Sequence, residues 1–182
     1  MAGDPGRLLT YEDFLTFPDD NVRREIIDGK VYVTPSPNVR HQDRVGRLYL
    51  AVATFLEAHP LGRVFVAPLD VLLDEHTIVE PDLIVVGDDR LDIIEQANIV
   101  GAPSLLVEVL SDPRTDRVRK RAVYERNGVP EYWIVDPQAD RVEVYRIAGA
   151  AYGKPTIVEP GDTLGTELLP GLRIDVGRLF AP

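Results

Sequence analysis

The chain has 182 residues, enough for one good hydrophobic core, with 45% hydrophobic and 27% charged residues. It contains no cysteine, which excludes disulfides, thiolate metal sites and cysteine nucleophiles, and its three histidines are too scattered for a histidine-rich zinc site. The formal net charge of −10 argues against a protein that coats nucleic acid through a global positive field, but not against a local basic patch. No apolar stretch of signal-peptide or membrane-spanning type is present, so the reading is a cytoplasmic protein with no membrane partner.

In chain order, Thr10 and Asp13 form a capping-box pattern for a short helix that Pro18 ends. Glu25-Ile26-Ile27 and Val31-Tyr32-Val33 flank Asp28-Gly29, a strong hairpin signal. A Pro35-Ser36-Pro37 loop follows. Val45, Leu48, Val52, Phe55 and Leu56 recur at helical spacing and predict an amphipathic helix of about four turns. Val64 to Leu73 reads as a strand interrupted by Pro68, bulged or at a sheet edge. Ile78 to Val86 and Ser104 to Leu110 read as strands, with a short helix or ordered loop over Leu91 to Val100. A second major helix is expected from Asp116 to Asn127, closed by Gly128. Tyr132 to Val135 and Val142 to Ile147 predict a hairpin. Short strands near Thr156 to Val158 and Leu172 to Ile174 end a Gly- and Pro-rich tail. The order αββ, α, ββ, α, ββ predicts an α/β (α+β) fold, a mixed β-sheet flanked by helices. Residues 1–182 read as one domain, with 1–8 and 176–182 as peripheral tails.

Two acids stand out because each lies in an apolar segment, where a carboxylate is costly unless paired. Asp82 follows Pro81 at a strand bend, and Glu108 interrupts Leu105-Leu106-Val107-Glu108-Val109-Leu110. If these strands are neighbours, both carboxylates converge on one cation. Mg²⁺, or Mn²⁺ in its place, suits a few carboxylates plus waters, with the Val109 carbonyl as a further ligand. Lys120 shares a helix face with Val123 and Tyr124, which points it inward. The alternative is an exposed Asp116–Lys120 pair of about 0.3–0.5 kcal/mol. The cluster Arg114, Arg117, Arg119, Lys120, Arg121 and Arg126 is either a basic patch, with Arg117 and Arg121 as phosphate contacts, or a solvated helix face. His41 is placed to contact phosphate or to act in capping its helix. Ser111 caps the Asp112-Pro113 turn. Tyr132 and Trp133 read as core, and Asp70 as a supporting acid.

Pro81-Asp82, Val107-Glu108-Val109-Leu110-Ser111, Lys120 through Tyr124, and the run from Gly128 to Pro137 together resemble the putative restriction endonuclease family of the PD-(D/E)xK nuclease superfamily. Glu25-Ile26-Ile27-Asp28-Gly29, Pro35-Ser36-Pro37 and His41-Gln42 match it as well, so the resemblance spans residues 8 to 175. It implies a restriction-endonuclease-like fold and Mg²⁺-dependent hydrolysis of DNA phosphodiester bonds. It implies metal-binding roles for Asp82 and Glu108 and Lys120 as the catalytic lysine; Glu25 matches the family's N-terminal acid and either joins the metal shell or is a hairpin charge facing solvent or pairing with Lys30 or Arg24. The superfamily's lysine two residues after the acid is Leu110 here, so a lysine from the following helix takes its place. Restriction-type nucleases often act as dimers, and the strand edges leave room for a homodimer. The rival expectation is a non-catalytic nucleic-acid-binding or assembly module that keeps the fold.

Overall fold

Asp28 and Gly29 take left-handed backbone angles, with φ of 53° and 69°. That geometry matches the twist of a two-residue hairpin, and it joins β1 (Arg23–Ile27) to β2 (Lys30–Thr34) as expected. The computed structural model describes residues 7–20, 22–34, 36–111 and 115–182. Upstream, Thr10 and Asp13 form the capping box of α1 (Tyr11–Phe14).

Two proline-containing segments hand the chain from one sheet to another. Val64 to Leu73, expected as one interrupted strand, is β3 (Gly62–Val66) and β4 (Val71–Asp74), and the two lie in different sheets. Ile78 to Val86 is likewise split into β5 (Thr77–Val79) and β6 (Leu83–Gly87), with Glu80-Pro81-Asp82 between them. Pro68 and Pro81 have no N–H to donate to a ladder, so pairing stops beside each.

The larger sheet runs β10 (Arg141–Ala148), β9 (Glu131–Asp136), β8 (Leu105–Val109), β6, β3, with β11 (Ala151–Tyr152) and β12 (Thr156–Val158) both paired to β10. Its only parallel pair is β8 with β9 among the described residues. The second sheet runs β2-β1-β5-β4-β7, where β7 is Ile99–Val100 after a 3₁₀ turn over Asp88–Ile93. A third, two-stranded ribbon pairs β13 (Thr163–Thr166) with β14 (Leu169–Asp175).

Residues of each central strand alternate between two cores, as the two-residue period requires. On one face, Leu83, Val85, Leu105, Val107 and Trp133 pack against Val45, Leu48, Val52 and Leu56 of α2 (Val39–Ala58). On the other, Ile84, Leu106, Tyr132 and Ile134 meet Ile27, Val71 and Val79 of the second sheet and Val123 and Tyr124 of α3 (Arg121–Arg126). The expected second helix is therefore present, but its first part, Thr115–Lys120, is a π-helical turn. Gly128, at φ 73°, closes it. Residues 176–182 are not peripheral. Val176, Leu179 and Phe180 of α4 (Val176–Phe180) are buried, and the Arg44 guanidinium donates to the carbonyls of Phe180 and Ala181 at 3.1 Å each. The fold is mixed α+β. Among the described residues, no helix is long and apolar enough to cross a membrane.

Candidate active site

Strands β6 and β8 are neighbours, in the antiparallel register Leu83↔Val107. Continued by one residue, that register sets Asp82 against Glu108. Asp82 stands at the bend where Pro81 has ended β5 and β6 has not begun, so its carboxylate turns into the sheet's end instead of lying on a face. Its Oδ2 accepts the Val109 N–H at 2.8 Å and lies 3.1 Å from His41 Nε2, while Oδ1 accepts from the Arg23 guanidinium at 3.2 Å. Burial opposes its charge, but the His41 bond and charge, then Arg23 and Lys120, win and hold the carboxyl below its usual range.

Glu108 points to the α3 side of β8. Its Oε1 accepts from Lys120 Nζ and from the Tyr124 hydroxyl, both at 2.8 Å. Lys120 Nζ lies also 2.9 Å from Oε1 of Glu25, in the middle of β1, so one ammonium bridges acids from two sheets. Lys120 is 3% exposed. The inward reading of Lys120 therefore fits its position, while the alternative pairing with Asp116 falls on a side chain outside the described residues, as do Arg114 and the Asp112-Pro113 turn. Burial, then the Glu108 charge, push the Tyr124 phenol well above its ordinary value, so it remains a donor. π-Helical turns recur at functional sites, and this one ends on Lys120.

Glu25 is fully buried; its Oε1 also accepts the Glu80 N–H at 2.8 Å, and its Oε2 has no hydrogen-bond partner. Burial pushes the Glu80 carboxyl up, against the pull of Arg23. Asp70, raised by its own burial, adds to that push from beside the cluster.

The model of the Uma2 family, described as "Putative restriction endonuclease", matches residues 11–177. The chain belongs to this family. A similar solved structure is a putative nuclease of DUF820 from Anabaena variabilis ATCC 29413, 22% identical, covering 94% of this chain and 97% of that one with a TM-score of 0.79. At that identity the likeness speaks for the fold. No curated relative matches.

Of the remaining predicted residues of this Uma2 chain, His41 sits on Asp82, whereas Arg117 and Arg121 are engaged away from the acids. Asn38, not His41, caps α2, its side chain accepting the His41 N–H at 2.9 Å; the His41 ring is buried against Asp82, with Nδ1 unpartnered. Arg117 is spent on Asp136 at 2.6 Å and Glu143 at 2.8 Å, and Arg121 lies over the Tyr145 ring at 5.6 Å from its centroid. Trp133 and Tyr132 are core. Sequence reasoning missed Arg23 and Glu80. The signal for Arg23 was its spacing: two residues before Glu25, it shares the face that β1 presents to the acids. Burial works against its charge, yet Glu108, Asp82, Glu25 and Glu80 together raise its pKa above the ordinary value.

The cluster has an excess of acid. Glu25, Glu80, Asp82 and Glu108 face two basic side chains, Arg23 and Lys120, so full ionisation of all six leaves two negative charges. That surplus and the orphaned Glu25 oxygen fit a divalent cation, and the donors are hard oxygens of the kind Mg²⁺ prefers. Among the described residues, no three His, Asp or Glu side chains stand in a metal-ligating group, and apart from the Glu25 Oε2 oxygen the acids take contacts from Arg23, Lys120, Tyr124 and Val109.

Proposed function

We propose that this protein is a divalent-metal-dependent endonuclease that hydrolyses DNA phosphodiester bonds, a single domain acting as a homodimer. The observation that carries the reading is the Lys120 ammonium at 2.8 Å from Glu108 and 2.9 Å from Glu25, beside Asp82. That arrangement supports reading the three as the acid–acid–lysine set of a PD-(D/E)xK nuclease, with a helix lysine in place of the strand position that Leu110 occupies.

Asp82, Glu108 and the Val109 carbonyl would hold Mg²⁺ or Mn²⁺, with Glu25 joining. The cation would supply charge neutralisation on the phosphate and lower the pKa of water. The chain's own residues do the rest. Lys120 brings a compact positive charge to the acids, where it stabilises negative charge developing on the phosphate and orients the attacking water. Tyr124 fixes the Glu108 carboxylate, and the Val109 N–H and His41 fix Asp82, so the ligands are held before substrate arrives. A water oxygen bonds to phosphorus as the bond to the leaving sugar oxygen breaks.

The rival reading, a nucleic-acid-binding or assembly module without catalysis, draws on the net charge of −10 and on acids whose oxygens face protein donors. The test is cleavage of supercoiled plasmid and short DNA duplexes with Mg²⁺, Mn²⁺ or chelator. Cation-dependent cleavage that Glu108→Gln abolishes is expected. Binding without cleavage under every cation would favour the module.

A further inference from the structure

Two cations serve the acid cluster, and they are held very differently. Lys120 is 3% exposed and sits at 2.8 and 2.9 Å from two carboxylates. Arg23 keeps 19% of its side chain exposed. It straddles two acids with one contact each, 3.2 Å to Asp82 Oδ1 and 3.4 Å from its Nε to Glu80 Oε2, and that Nε makes no hydrogen bond. Guanidinium–carboxylate bonds of full strength run at about 2.7–2.9 Å and are often bidentate. Arg23 has neither feature. Lys120 is the fixed charge and Arg23 the loose one.

Arg23 also lines a cavity of about 440 Å³, bounded by Pro18, Asp19, Asp20, Gln42, Pro68 and Glu80 among others. It is the one basic residue among the described residues lining that cavity, which otherwise carries Asp19, Asp20 and Glu80. Asp20 is held bidentately by the Arg24 guanidinium at 2.7 Å, so Asp19 and Glu80 supply the negative charge that attracts cations there. Arg23 contacts Asp82, and Glu25, two residues along the same strand, carries a buried Oε2 with no hydrogen-bond partner.

We propose that Arg23 occupies the place of a divalent cation on Asp82, and that a cation entering through the Asp19–Asp20–Glu80 cavity displaces its guanidinium. The inference rests on the cation reading of the site given above. It adds that this site is charge-compensated from within, so cation binding is an exchange in which Asp82 Oδ1 changes partner. The displaced guanidinium has the cavity it already lines to move into, whereas Lys120 is only 3% exposed.

The test is calorimetric titration of the full chain with MnCl₂, comparing the natural sequence with Arg23→Gln. Removing the competing charge should tighten Mn²⁺ binding by at least about tenfold, with a larger gain in melting temperature on adding Mn²⁺. Equal or weaker affinity in a folded Arg23→Gln variant would overturn the exchange. Absence of binding by both proteins would overturn the cation reading itself, and the exchange with it. Should Arg23→Gln fail to fold, the unaltered protein gives the same answer by ¹⁵N NMR. The Arg23 Nε–H resonance should shift on adding MgCl₂ with the same midpoint as the Val109 amide. A Val109 amide that titrates while Arg23 Nε–H stays fixed would refute displacement.

Discussion

Replacing Lys120 by methionine keeps most of the side-chain volume and deletes the charge between Glu25 and Glu108. Both acids are buried, at 0% and 3% exposure, and their Oε1 atoms lie within 2.9 Å of the one Nζ. Breaking a buried pair by removing one partner leaves uncompensated charge and costs about 3–5 kcal/mol. Here two carboxylates lose a shared partner, so the upper half of that range is expected. Urea unfolding followed by Trp133 fluorescence measures it well, since Trp133 is the chain's single tryptophan and is fully buried. Adding Glu25→Gln to Lys120→Met should recover stability, with a coupling of about 2–3 kcal/mol in the double-mutant cycle. A Lys120→Met loss under about 1 kcal/mol, the range of exposed ion pairs, would refute the buried-bridge account.

Asp82 has its folded-state pKa below the ordinary 3.8. Its contribution is therefore present above about pH 4 and lost as pH falls further, so Asp82→Asn should lower stability at neutral pH and flatten the acid limb, as pH-dependent urea melts would read. Gly46 sits exposed within α2 and a Cβ there meets nothing within 4 Å; Gly46→Ala should raise stability by about 0.5–1 kcal/mol in the same urea assay. Gly29 is the opposite case, with φ +69° and a built Cβ only 2.5 Å from that of Leu8; Gly29→Ala should destabilise measurably, and an unchanged melting temperature would contradict the close approach. The homodimer predicts twice the chain mass in light scattering, and a strict monomer at high concentration would count against it.

What could be read from the sequence was whatever local chemistry decides. The Asp28-Gly29 turn, the apolar period of α2 and Gly128 at the helix end depend on neighbouring residues only, and each stands where the pattern put it. The splits at Pro68 and Pro81 were visible as prolines but not as changes of sheet, because apolar residues on both sides fill cores equally well in either. The π-helical turn over Thr115–Lys120 has no sequence period of its own, and α4 is too short to show one. At the site, Asp82, Glu108 and Lys120 were legible as charges in apolar or inward-facing settings. Arg23 and Glu80 were not, since each is unremarkable until β1 and the Pro81 bend bring it to the same acids.

In the proposed function, Asp82, Glu108 and the Val109 carbonyl form a divalent-cation site. Crystals soaked in MnCl₂ and measured at the manganese absorption edge test it most directly. One strong anomalous peak among those three groups, within reach of Glu25, is expected. A well-ordered map with no peak there, or with manganese bound only elsewhere, would contradict it.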